Sequence, residues 1–197
     1  MLAAARTIFA ERGFHDSSMD EIAAASGVTK PMLYAYFHSK DGLFVACARA
    51  AAAELLREVR AAALAEAVPV DQRLWHGFKA VFDFVEDNRE SWRVLYPERG
   101  AAGGGTVGAG AAEARDAMAA LLEELLAQTA LASGMGTDAA AETAPLAHAL
   151  TGATMAMAAW WLEHPDEPKD LQALRLMNFA WMGFGDMLEG RLWLPTE

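Results

Sequence analysis

Residues 18–37 read Ser18-Met19-Asp20-Glu21-Ile22-Ala23-Ala24-Ala25-Ser26-Gly27-Val28-Thr29-Lys30-Pro31-Met32-Leu33-Tyr34-Ala35-Tyr36-Phe37, and this stretch decides the fold. Ser18 and Glu21 stand at the spacing of a capping box, in which each side chain meets a backbone donor beside the other. That predicts a short helix through Ile22 to Ala25, closed by Ser26-Gly27-Val28, since glycine is the usual helix stop. Thr29 is placed to cap the next helix. Pro31 falls in its first turn, where a missing N–H costs little. Leu33 and Phe37 then share one face. Two short helices across a tight glycine turn make a helix-turn-helix arrangement.

Working outward, Leu2 to Arg12 carries Ala5, Ile8, Phe9 and Arg12 at helical spacing, and Gly13 follows as a stop. Downstream, Ser39 caps a long helix from Lys40 to about Ala67, with Asp41 favourable at its positive end. Leu43, Phe44, Cys47, Leu55, Leu56 and Val59 are its apolar positions, and Pro69 breaks it. Further helices are predicted over 71–88, 89–96, 111–131, 139–163 and 168–189, with a glycine-rich loop from Pro97 to Gly110. No stretch alternates as a strand does. The expected fold is all-α: a three-helix helix-turn-helix domain over 1–47, joined by a long helix to a larger helical domain over 48–197.

Hydrophobic residues make up 54% and charged residues 22% of the 197, enough for a sizeable core and too apolar for disorder. A net charge of −11 and a pI near 4.9 argue against a chain that is cationic all over. The charge is uneven, with four Lys/Arg against five Asp/Glu in residues 1–47 and twelve against twenty-two in the remainder. Nucleic acid is therefore not excluded, because binding depends on a local patch. A single cysteine, Cys47, forms no internal disulfide and fits a reducing cytoplasm. The N-terminus lacks the basic start and apolar run of a signal peptide. Ala144 to Leu162 is apolar, yet it holds His148, Thr151 and Thr154 and ends in Glu163-His164-Pro165-Asp166-Glu167. A largely buried helix is expected there, and no membrane partner. The five histidines show no metal-binding pairing, and the glycine-rich loop lacks the Gly-Lys-Ser/Thr ending of a phosphate cradle. Neither an enzyme, a cofactor nor a metal site is expected.

The third helix carries Thr29, Lys30, Tyr34, Tyr36 and His38 as donors interleaved with Leu33 and Phe37. A buried stripe opposite a donor-rich face is what a major-groove helix needs, since base edges and phosphates are read by side-chain hydrogen bonds. The run Phe9-Ala10-Glu11-Arg12-Gly13-Phe14, then residues 17–23, then 27–37, then Ser39-Lys40-Asp41-Gly42-Leu43-Phe44 resembles the DNA-binding domain of the TetR family of transcription regulators. The resemblance implies that Thr29, Lys30, Tyr34 and Tyr36 meet bases and phosphates. It implies phosphate contacts from Ser17 or Ser18 and from Lys40, at the starts of the second and fourth helices, where free N–H groups and the dipole favour an anion. His38, at the end of the third helix, is either a solvated residue or a phosphate donor. Ala35 stands where many members carry a larger polar residue, so direct base reading is expected to be lean.

Aromatic and Met residues at helical spacing are first of all core, but six Trp and ten Met exceed what a compact core requires. With the resemblance, they imply a mainly apolar ligand cavity, with Phe78, Phe82, Trp92, Tyr96, Met118, Met155, Met177 and Trp181 as candidate lining. Gly152, Ala156 and Ala159 form a small-residue stripe that admits a second helix. Trp160, Trp161, Leu174, Trp181 and Met187 add more apolar area than one intramolecular face needs. The family pairs these two helices with their copies, so a homodimer is expected. The function implied is a cytoplasmic, ligand-responsive DNA-binding regulator. It is expected to be a repressor that binds a pseudo-palindromic operator in double-stranded DNA and is released by a small apolar or aromatic effector. The alternative is an all-helical protein that binds a lipid-like molecule without regulatory DNA binding.

Overall fold

The computed structural model describes residues 1–96, 106–132 and 143–188, and these are helical with no strand. The helices are α1 (Leu2–Asp16), α2 (Met19–Ser26), α3 (Lys30–Phe37), α4 (Lys40–Ala63), α5 (Arg73–Asp87), α6 (Arg89–Leu95), α7 (Thr106–Ala132), α8 (Thr143–Glu163) and α9 (Lys169–Leu188). A 3₁₀ turn, Val70–Gln72, leads into α5. The all-α expectation holds, with a helix-turn-helix at the N-terminus and a helical C-terminal part. No described helix is long and apolar enough to cross a membrane.

Three boundaries differ from the expectation. Gly13 does interrupt α1 (φ 78°, ψ 170°), but the chain resumes helical form to Asp16. The long α4 ends at Ala63, ahead of the predicted Ala67. Helix α7 begins at Thr106, so Gly108 and Gly110 are helical and not part of a loop. Gly110 packs beside Val45, and a Cβ on it would lie in van der Waals contact with that side chain at 3.4 Å. The remainder of the expected glycine-rich loop, residues 97–105, lies outside the described residues.

The chain forms two compact units, one of Met1–Arg57 and Phe84–Ala117 and the other of Glu58–Asp83 with the described part of Met118–Glu197. The first is built on Phe9, Met19, Ile22, Leu33, Leu43 and Phe44, all buried, with Val94 of α6 packed into the same cluster. Phe9, Phe14 and Phe44 meet as a ring triad, with Phe44 edge-on to both at 5.1 and 5.4 Å. Helix α6 packs on α1, and the Thr7 hydroxyl donates to Glu90 Oε2 across them (2.8 Å). Burying several such rings supplies most of the folding drive, at roughly 25 cal/mol per Å² of apolar surface.

The second unit buries Phe78 and Phe82 of α5, Leu121, Leu125 and Leu126 of α7, and Leu176 of α9. Helix α8 turns Ala147, Leu150, Thr151, Thr154, Ala158 and Trp161 inward, at helical spacing. Trp161 meets Phe82 edge-on at 5.9 Å, and its Nε1 donates to the Glu167 carbonyl (2.8 Å). The turn into α9 is tied further by Arg175, which donates to Glu167 Oε2 (2.9 Å) and to Oε1 of the buried Gln172 (3.1 Å).

Candidate nucleic-acid interface

Helix α2 starts as its sequence predicts. Glu21 N–H donates to Ser18 Oγ and Ser18 N–H to Glu21 Oε2, both at 3.2 Å, so two orphan donors are satisfied reciprocally. It ends at Gly27, whose φ of 65° suits a residue without a Cβ. Val28 N–H donates back to the Ala23 carbonyl (3.1 Å), which fixes the angle at which the chain leaves α2. Thr29 then stands at the N-cap of α3 with extended backbone, but its side chain makes no capping hydrogen bond. That corrects the expectation: the cap position is filled, and the hydroxyl faces outward on an exposed residue.

Helix α3 buries Leu33 completely and half-buries Phe37, leaving Lys30, Met32, Tyr34, Ala35 and Tyr36 exposed. Tyr36 is the most open of its aromatics, at 61%. The helix closes on His38, whose φ of 64° places a non-glycine residue in the left-handed region and whose N–H donates to the Tyr34 carbonyl (2.9 Å). Ser39 Oγ then accepts from Gly42 N–H (2.9 Å), starting α4 as its sequence predicts.

The cations of this region all have partners within it. Arg6 pairs with Glu54 (2.9 Å), Arg12 with Glu21, and Lys30 with Asp20 (2.8 Å). Lys40 donates to the carbonyls of Ser17 (2.8 Å) and His15 (3.1 Å), and its ammonium lies 4.6 Å from the centre of the Phe14 ring. Lys40, expected at phosphate, thus also ties the end of α1 to the start of α4. Ser17 is buried and its hydroxyl donates to the Phe14 carbonyl (2.8 Å), while Ser18 is half-buried within its cap. Asp20 raises the Lys30 pKa above its ordinary value, first through their hydrogen bond and then through charge. Burial pushes the Cys47 thiol up to about 12, with Arg6 opposing. That keeps it a protonated core residue.

The candidate ligand residues fall in both units. Trp92 and Tyr96 belong to the first, with ring centres 4.4 Å apart, and burial holds the Tyr96 phenol above its ordinary pKa. Phe78, Phe82 and Met118 are buried in the second, where Met155 and Met177 are half-buried. Trp181 is 52% exposed and lines no interior. The first unit has a cleft of about 230 Å³ lined by Arg49, Ala52, Leu56, Glu113 and neighbours, and another of about 180 Å³ beside Leu2, Arg6 and Cys47. None of the eight candidate residues lines either.

Of the candidate dimer residues, Gly152, Ala156, Ala159, Trp160, Leu174 and Trp181 are all exposed. Trp161 is not, because it serves the core, and the Met187 side chain lies outside the described residues. The sequence reading missed Phe179 and Met182, the most exposed apolar side chains among the described ones of α9 at 63% and 74%. Their own i, i+3 spacing was the available signal. Among the described residues no three His, Cys, Asp or Glu side chains gather as a metal ligand set.

The family model described as bacterial regulatory proteins, tetR family, matches residues 1–47. That described as tetracyclin repressor-like, C-terminal domain, matches residues 70–183. The HTH-type transcriptional activator FasR of Mycolicibacterium smegmatis is 38% identical over 96 residues, which span 49% of this chain and 43% of FasR. The chain spans about half the length of the named relatives it matches. A TetR-like transcriptional regulator from Rhodococcus sp. RHA1 has a solved structure similar over 93% of both chains, with 33% identity and a TM-score of 0.71. FadR from Bacillus subtilis, solved in complex with stearoyl-CoA, shares the fold at 15% identity, with a TM-score of 0.74 over 91% of this chain and 95% of its own.

Proposed function

Because the chain belongs to the tetR family of bacterial regulatory proteins, we propose that it is a homodimeric transcription regulator that binds a pseudo-palindromic operator and is released from it by a mainly apolar small molecule. The observation that carries this is α3 itself. Its Leu33 is sealed in the core while Thr29, Lys30, Tyr34 and Tyr36 stand on the open side, behind a turn fixed by Gly27. In this reading Thr29 and Lys30 meet base edges and phosphates in the major groove. Tyr34 and Tyr36 add phenolic donors, and Ser18 and Lys40 flank them at helix starts. Ser17 is left out, its hydroxyl being buried and used within the fold. A two-fold dimer then spaces the two α3 helices about 34–36 Å apart, or a multiple, to enter successive major grooves.

The dimer face in this reading is the exposed apolar side of α8 and α9, where Trp160, Leu174, Phe179, Trp181 and Met182 lie open. An apolar patch of that kind is unusual on a monomer and typical of a buried subunit contact. The effector is taken to be apolar because Phe78, Phe82 and Met118 are buried in the second unit, with Met155 and Met177 half-buried there. FadR, crystallised with stearoyl-CoA, makes a fatty-acyl compound the first to test. Release requires that the effector prefer the DNA-incompetent dimer. Helix α4 is the lever: its Lys40 end follows the recognition helix, and its residues from Glu58 belong to the second unit. A repressor is the primary reading. FasR is named as an activator, which favours activation as the second.

Selection of duplexes from a random library tests the proposal. Recovery of a palindrome by a dimer supports it. A monomer at micromolar concentration that selects none overturns it, and leaves the lipid-binding alternative. A fatty-acyl effector should then weaken the selected operator by roughly 5–150-fold, and by linkage the operator must weaken effector binding by the same factor.

A further inference from the structure

We infer that Asp20 sets DNA specificity by holding the Lys30 ammonium, so that DNA of arbitrary sequence must compete with a carboxylate for this cation. The inference rests on the DNA-binding reading above. Asp20 lies in the first turn of α2 and Lys30 opens α3, so the pair straddles the turn that presents the recognition helix. Their separation is 2.8 Å, and both side chains are open to water. Exposed pairs of this kind are held weakly and exchange partners at little cost. The neighbouring Arg12–Glu21 pair differs, because Glu21 is fixed by the capping box. Asp20 stands outside that box; it favours the positive end of α2 from the first turn, a role that leaves its carboxylate free to pair with Lys30.

Residues 1–47 hold only four Lys/Arg, and Lys30 is the one that opens the recognition helix. Mixed-sequence DNA offers it phosphate and chance base acceptors, but no arrangement matched to the carboxylate beside it. Taking Lys30 to phosphate leaves the Asp20 carboxylate facing the same backbone, and like charges in an interface act against the wrong partner. An operator can offset this at a base edge, for example through a cytosine amino group that a carboxylate accepts from. The pair therefore weakens non-specific binding more than specific binding.

The test uses the full chain and its Asp20→Asn variant, with fluorescence anisotropy on two probes across a salt series. One probe is a short mixed-sequence duplex and the other is the duplex the wild type selects. The variant should bind the mixed duplex about two- to fivefold more tightly, with a salt slope steeper by about 0.9 as Lys30 reaches phosphate. The selected duplex should gain less, so discrimination falls. In a Lys30→Met background the Asp20→Asn gain should shrink to the relief of carboxylate–phosphate repulsion alone, and the steeper salt slope should be absent. Unchanged binding of the mixed duplex, or a gain of equal size without Lys30, overturns the inference while leaving DNA binding intact. A wild type that binds neither duplex at low salt overturns the DNA-binding reading itself.

Discussion

Two faces of this chain leave large side chains in water, and their chemistry differs. On α3 the exposed set is Met32, Tyr34 and Tyr36, beside Thr29 and Lys30. On α8 and α9 it is Trp160, Leu174, Phe179, Trp181 and Met182. The first face pairs its aromatic area with hydroxyls and an ammonium, so it can meet a wet, charged partner without stranding a polar group. The second is nearly all hydrocarbon and indole, which favours a dry contact. Exposure alone would have marked both as sticky. In the proposed reading, what the exposed atoms can donate separates the surface assigned to nucleic acid from the one assigned to another copy of the chain.

The largest expected effect belongs to the second face. Phe179→Glu combined with Met182→Glu should raise the dimer dissociation constant by about a thousandfold, as the loss of two central apolar anchors would. Sedimentation velocity at micromolar concentration should show monomer, and circular dichroism should still show the helical fold, because both positions are exposed on the single chain. A variant that stays dimeric would dissolve the distinction between the faces. Next is Leu33→Ala behind the first face. Leu33 is fully buried, so the cavity should cost about 2–5 kcal/mol in urea unfolding. DNA binding should be lost while the sedimentation of the folded fraction stays that of the wild type.

The first face was far more legible in the sequence than the second, for a physical reason. The Ser18–Glu21 box, the Gly27 stop and the Ser39 cap are satisfied by neighbours five or fewer residues away, so their residue types announce them. The tether from Lys40 to the Ser17 and His15 carbonyls was not legible, because it crosses more than twenty residues and no local pattern encodes it. Trp160 and Trp161 show the same limit on α8. The helix is apolar on most sides, so nothing in its period says which tryptophan turns inward, and tertiary packing chose Trp161. The start of α7 was misplaced because glycine reads as a breaker, whereas Gly108 and Gly110 lie within the helix. Ser18→Ala checks the legible side. Losing the Ser18 Oγ acceptor, while the residue-18 N–H can still donate to Glu21, should cost about 1 kcal/mol, and wild-type stability in that variant would mean that tertiary contacts alone hold α2.

The smallest expected effect asks whether surface charge distinguishes the two units as their exposed faces do. Arg49 grips Glu113 in the first unit with two hydrogen bonds, Nε to Oε2 at 2.8 Å and Nη2 to Oε1 at 2.9 Å. In the second unit Lys79 donates once to Asp170 (2.8 Å). The hydrogen bond from the cation is the first reason that each carboxyl lies below its ordinary pKa. A carboxyl depressed on folding contributes stability that is present above its unfolded pKa, about 4.3 for Glu and 3.9 for Asp, and lost as pH falls through the folded value. Glu113→Gln and Asp170→Asn should therefore leave neutral-pH melts nearly unchanged and each make the acid limb slightly shallower. Glu113→Gln should do so more, because a forked guanidinium contact is more ordered than a single ammonium one. Both effects should fade in molar salt, since exposed pairs are screened. A large change at neutral pH that survives salt would mean that a charge pair, and not the apolar or phenolic face, is what sets one unit apart from the other.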